Sequence, residues 1–154
     1  MTAKLEALSL TDAKDKLPGQ LSGGMVKRVG VARALVVEPE ILIYDEPTTG
    51  LDPVMSRKVD RLIEETREKF LVTSLVITHD MATAYEIADR VMLLEEGRFV
   101  AEGPPEQFFA SSNPTARFFA DASAVEPTKL VARRAGRKSP GEIRAAWKER
   151  AASR

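Results

Sequence analysis

Residues 41–47 read Ile41-Leu42-Ile43-Tyr44-Asp45-Glu46-Pro47, four apolar side chains in a row stopped by two acids and a proline. A short unbroken apolar run of this kind predicts a strand buried on both faces, and the acids then fall at its C-terminal end. Downstream, Thr48-Thr49-Gly50 reads as a turn, and Asp52-Pro53 as the N-cap and first position of a helix whose inner face is Val59, Leu62, Ile63 and Phe70. Residues 75–78 repeat the apolar-run pattern and are followed at once by His79-Asp80. A helix over 82–88, strands over 91–94 and 99–101 around the turn Glu96-Gly97, and short helices over 105–110 and 115–120 complete the regular part. Phe108, Phe109, Phe118 and Phe119 are expected to pack on the core. Strands alternating with helices predict an α/β fold: a mostly parallel sheet flanked by helices, with a terminal hairpin. In such sheets ligands bind beyond the carboxyl ends of the strands, where Asp45-Glu46 and His79-Asp80 both lie.

Upstream of the strand, Leu21-Ser22-Gly23-Gly24-Met25 opens a helix of about four turns with Ser22 as cap and Val29, Ala32 and Val36 at helical spacing. Residues 3–10 are weakly helical and are broken by Leu17-Pro18-Gly19. The 154 residues suit one ordinary domain, and 44% hydrophobic with 30% charged residues excludes disorder throughout. No apolar run is long enough to span a bilayer, and residues 1–10 lack the apolar core of a signal peptide. With no cysteine there is no disulfide frame or thiolate metal site, which agrees with a reducing cytoplasm.

The zero net charge is a sum of unlike parts. Residues 1–124 carry 14 basic and 20 acidic side chains, whereas residues 125–154 carry 9 and 3. In that basic extension, Ser139-Pro140-Gly141-Glu142 has the form of a capping box, and Ile143 and Trp147 fall on one face of the helix it would start. Three outcomes are open for the helix: docking on the acidic body, contact with anionic lipid, or an unattached tail.

The order and spacing of Leu21-Ser22-Gly23-Gly24-Met25, Ile41 through Pro47, Thr49-Gly50-Leu51-Asp52-Pro53 and Thr78-His79-Asp80 resemble the ABC-transporter ATPases over about residues 3–121. The resemblance makes these the signature motif, the Walker B strand with its catalytic glutamate, the D-loop and the switch histidine. It implies ATP and Mg2+ as ligands, a dimer of ATPase subunits, a transmembrane permease as partner, and a place in the cytoplasm against the inner face of the membrane. Residues 1–121 then form a partial ATPase domain, and 122–154 a basic extension that is partly helical or disordered.

Within this frame each residue has a chemical rationale and a plainer alternative. Ser22, Gly23 and Gly24 put unpaired N–H groups and a positive dipole end where a phosphate can approach, or they are simply a cap and turn. Asp45 suits magnesium through bound water and Glu46 suits the activation of an attacking water, unless both only cap the next turn. By resemblance His79 contacts the γ-phosphate and that water. Asp52 caps its helix, reaches across a dimer interface, or does both. Gln20 matches a glutamine frequent before the signature, and a polar loop residue accounts for it equally.

No stretch fits GxxxxGK followed by Ser or Thr, so the loop that wraps the β and γ phosphates is missing, and a truncated product or misassigned start is expected. Within the family, the Met25 ending of the signature and the run Gly103-Pro104-Pro105-Glu106-Gln107-Phe108 look like the ATPases of Mce-type lipid or organic-solvent transporters, with Asn113-Pro114 and Arg117-Phe118-Phe119 adding to the likeness. An amino-acid or methionine importer ATPase is the other reading. Two further functions compete: a non-catalytic module that docks on an intact ATPase, and a nucleic-acid-acting relative, for which only the basic tail speaks; no nucleic-acid partner is expected.

Overall fold

The computed structural model describes residues 2–123 and 138–152. A first helix, α1 (Thr2–Ala7), leads through two short 3-10 turns to α2 (Gly23–Ala34). Strand β1 (Ile41–Asp45) then passes through helix α3 (Pro53–Phe70) to β2 (Thr73–Ile77), which lies parallel to β1 with Ile41 opposite Thr73 and Asp45 opposite Ile77. After α4 (Met81–Ile87), β3 (Val91–Glu95) and β4 (Arg98–Gly103) form an antiparallel hairpin turning at Glu96 and at Gly97, whose φ of 77° favours glycine. Helices α5 (Pro105–Phe109), α6 (Pro114–Ala122) and α7 (Pro140–Ala152) follow.

The α/β class and nearly every element match the sequence reading, but the expected continuous sheet is two separate pairs, β1-β2 and β3-β4. The two-faced burial of β1 is also corrected. Leu42 and Tyr44 point into the core, while Ile41 and Ile43 are about 60% exposed. Leu75 and Ile77 of β2 are likewise exposed, so one face of the pair has no cover among the described residues. The run of apolar residues encodes two buried faces, and the elements present cover one.

The covered face builds the first core, which gathers Leu42 and Tyr44 with Ala32 and Leu35 and with Val59, Leu62 and Ile63 of α3. Helix α2 turns Ala32 inward and rests Met25, Val31 and Ala34 on this core, whereas Val29 and Val36 are exposed, contrary to the spacing-based reading. Residues Leu8 and Leu10, beyond α1, are buried in the same core. A second core joins Tyr85, Val91, Phe108, Phe109 and Ala116, with the rings of Tyr85 and Phe109 edge to face at 4.9 Å between centroids. Of the four expected core phenylalanines, Phe108 and Phe109 are buried, Phe119 is half-buried and Phe118 is exposed.

The capping box that opens α7 forms as read. The Glu142 carboxylate accepts from the Ser139 backbone N–H and hydroxyl, each at 2.7 Å, and Ser139 Oγ accepts from the Glu142 N–H at 3.2 Å. The helix is also attached: Ile143 is buried, and the Arg67 guanidinium of α3 donates to the Lys138 carbonyl at 3.0 Å and pairs with Asp89. The residue just before the helix is thus tied to α3, and the Lys138 N–H also faces the Glu68 carboxylate at 3.5 Å. The Trp147 side chain lies outside the described residues.

Candidate functional site

The parallel pair carries Asp45 at the end of β1, with Glu46 just beyond it, and Thr78-His79 just beyond β2. The Glu46 backbone N–H donates to the Ile77 carbonyl at 2.9 Å, which extends the ladder past the strand and brings the two loops side by side. Glu46 has a left-handed backbone, φ 45°, uncommon for a residue with a side chain. Its carbonyl accepts the Thr49 N–H at 3.2 Å, closing the turn over Pro47-Thr48.

This backbone sets the side chains. Glu46 Oε2 lies 2.9 Å from His79 Nδ1 and accepts the Thr49 hydroxyl at 2.8 Å. The His79 partnership, followed by the Thr49 hydrogen bond, holds the Glu46 carboxyl below its ordinary range. In turn the Glu46 hydrogen bond and charge raise the His79 imidazole above its ordinary value. The pair is solvent-accessible, with His79 more open than Glu46. The Asp45 carboxylate beside it is exposed and has no hydrogen bond or ion pair among the described residues. A lone hard oxygen donor suits Mg2+, which keeps most of its waters and takes one or two carboxylates. No group of three or more potential metal ligands exists among the described residues.

The other sequence-selected residues stand apart from this pair. Asp52 caps α3, its carboxylate accepting from Val54 N–H at 2.9 Å and Met55 N–H at 3.0 Å. Ser22 caps α2 by accepting from Met25 N–H at 3.3 Å. Gly23 and Gly24 occupy its first turn, where an added Cβ would meet nothing within 4 Å. Two glycines in a helix cost stability relative to alanine, and no contact among the described residues accounts for them. Helix α2 reaches the acidic loop through Lys27, whose ammonium donates to the Pro47 carbonyl at 3.4 Å. Gln20 ends the short 3-10 turn Pro18–Gln20, its side-chain oxygen accepting the Leu17 N–H at 2.9 Å.

The sequence reading did not assign Thr49, Asp80 or Asp60. Asp80 caps α4 directly after His79, accepting from Ala82 and Thr83 N–H, and an acid before a helical pattern was the available signal. The Thr83 hydroxyl, fully buried, lies 2.9 Å from Asp60 and 3.1 Å from Asp80. Arg57 pairs at 2.7 Å with both Asp60 and Glu86, so a polar bridge joins α3 to the helix that follows His79.

The ABC transporter family profile matches residues 1–49. A probable amino-acid ABC transporter ATP-binding protein of Sinorhizobium fredii is 45% identical over 69% of this chain and 41% of its own length. A methionine import ATP-binding protein of Staphylococcus aureus is 35% identical over 94% of this chain and 43% of its own. A chloroplastic Arabidopsis thaliana protein named trigalactosyldiacylglycerol 3 is 38% identical over 84% and 42%. The chain thus spans about two fifths of the length of the curated relatives it matches. Among solved structures, cbiO1 from Clostridium perfringens, part of the ABC transporter complex cbiONQ, superposes with a TM-score of 0.66 at 36% identity, covering 72% of this chain and 44% of that one. Motif order, strand-end geometry and these likenesses agree: the chain belongs to the ATP-binding subunits of ABC transporters.

Proposed function

We propose that the chain supplies the hydrolytic residues and the signature surface of an ATP-hydrolysing subunit that powers a membrane transporter. The observation that carries this reading is the hydrogen-bonded Glu46 and His79 pair, presented at the ends of two adjacent parallel strands. Glu46, held ionised, orients and deprotonates the attacking water, and His79 donates toward the γ-phosphate and that water. Asp45 would hold a Mg2+ ion, which would supply neutralisation of the charge that develops on the phosphates. Ser22, Gly23 and Gly24 offer helix N-terminal N–H groups to the phosphates of a facing subunit, and the unexplained openness at the glycines supports this. Asp52 caps α3 and also reaches toward that subunit. Residues 1–121 act as the ATPase portion and 122–154 as a basic extension.

The phosphate loop, which this sequence does not contain, comes from residues outside it. A second ATPase subunit and a transmembrane permease are the partners, and the permease holds the subunit at the inner membrane face. No helix among the described residues is long and apolar enough to cross a membrane. Relatives named for amino-acid transport and methionine import favour an importer of small polar cargo. The Mce-type lipid reading rests on the signature ending in Met25 and the 103–119 motifs, with one relative named after a glycolipid beside them.

Phosphate release decides the chemistry. The chain alone should release phosphate from ATP no faster than its Glu46→Gln variant. Joined to a half that carries a phosphate loop, it should turn over, and Glu46→Gln should then keep ATP affinity and lose turnover. Asp45→Asn should weaken the magnesium dependence, and His79→Ala should slow hydrolysis more than binding. Equal loss of ATP affinity in all three variants would overturn these assignments. Stimulation of the permease-bound ATPase by an amino acid or by phospholipid vesicles separates the two cargo readings.

A further inference from the structure

We infer that Thr49 is the positioning residue for Glu46: its hydroxyl, with the His79 imidazole, fixes the carboxylate through Oε2 and so sets the direction in which Glu46 meets the attacking water. The inference rests on the proposed function. Its basis is where the hydrogen bonds go. His79 Nδ1 at 2.9 Å and Thr49 Oγ1 at 2.8 Å both converge on Oε2. The His79 backbone N–H adds a further hydrogen bond to the same carboxylate.

A glutamate side chain has three rotatable bonds, and a single partner leaves the carboxylate free to swing about the contact. Two donors approaching one oxygen from different loops remove that freedom. They come from different segments: His79 follows β2, and Thr49 lies three residues after Glu46 in the turn that its own backbone N–H closes. The backbone is committed in the same direction. A left-handed residue with a side chain persists only where its surroundings over-determine it, and here the Ile77 carbonyl on one side and the Thr49 N–H on the other do so. The threonine therefore engages Glu46 twice, by main chain and by side chain, and only the second contact is removable by mutation.

Hydrolysis requires a base whose oxygen is aimed to within a fraction of an ångström, and misplacement costs one to two orders of magnitude in rate. Thr49→Val keeps the shape and the backbone bond and deletes the hydroxyl. Thr49 is exposed, so neither Val, Ala nor Ser disturbs the core. The test is steady-state turnover in the ATPase assembled with a phosphate loop. Thr49→Val and Thr49→Ala should lower kcat about ten- to a hundredfold with KM for ATP within about twofold, and Thr49→Ser should restore kcat. Wild-type kcat in Thr49→Val, while Glu46→Gln is inactive, would overturn the inference and leave the proposed function standing. Equal loss in Thr49→Val and Thr49→Ser would also overturn it, because the hydroxyl would then not be the group that matters. Retained turnover in Glu46→Gln would instead overturn the proposed function itself.

Discussion

Glu46 and His79 each stabilise the charged form of the other, and the chain has one histidine, so its imidazole resonance is unambiguous. By NMR titration His79 should titrate above its ordinary 6.5, and Glu46→Gln should return it toward that value. The signs set a window. The lowered Glu46 contributes stability above its ordinary 4.5 and loses it as pH falls; the raised His79 contributes below 6.5 and loses it as pH climbs through its folded value. The contact is therefore strongest between those limits, and a His79 that titrates at 6.5 in both proteins would show that it does not form in solution. That Glu46 and His79 would share a sheet edge was legible, because each apolar run ends in a polar pair and parallel strands deliver their ends to one side. Thr49 was not. Its role depends on a turn that folds it back onto Glu46, and turn geometry leaves little trace in Thr48-Thr49-Gly50.

Helices α3 and α4 meet across charges rather than across leucines alone. Asp60 is 2% exposed, and burial pushes its carboxyl up to about 6 against the pull of the Thr83 hydrogen bond and Arg57. A raised carboxyl pKa means that the folded chain holds this proton more tightly than the unfolded one, so the contribution is present below 3.8 and is lost as pH rises to about 6. The unfolding free energy of the wild type relative to Asp60→Asn should accordingly fall between pH 4 and pH 6, by an amount on the order of 2 kcal/mol. A difference that does not change with pH would exclude Asp60 as the titrating group. The helix α7 offers a second test at this scale. Ile143→Asp puts a carboxylate where a buried apolar side chain sat, and should loosen the helix, seen as faster amide hydrogen exchange in α7. Unchanged exchange would show that Ile143 does not hold the helix. The capping box was legible as a local pattern of Ser139, Pro140 and Glu142. The tie to α3 was not, because the bond from Arg67 to the Lys138 carbonyl joins residues far apart in the sequence. For the same reason the spacing of Val29 and Val36 pointed to the wrong stripe of α2: its residues face whatever neighbours the fold provides.

At the scale of the molecule, two short strand pairs stand where one sheet was expected, with Ile41, Ile43, Leu75 and Ile77 uncovered on the first. Apolar faces and open strand edges promote association. The isolated chain should bind an apolar dye and self-associate with rising concentration, and a dye-silent, monodisperse monomer with one cooperative melt would contradict this. The class of fold was legible from alternation alone. The split of the sheet was not, since strand patterns report how apolar a strand is and not which neighbours are at hand. Helix α4 has a further consequence. Ile87 sits in the first core and Tyr85, two residues earlier, in the second, so seven residues are shared property of two hydrophobic clusters. Hydrogen exchange should resolve two opening units, β1-β2 with α3 and the hairpin with α5 and α6, with the α4 amides following whichever opens more readily. The helix starts one residue after His79, at the Asp80 cap. Any tug on the hairpin unit then arrives, through one rigid axle less than two turns long, at the histidine beside Glu46.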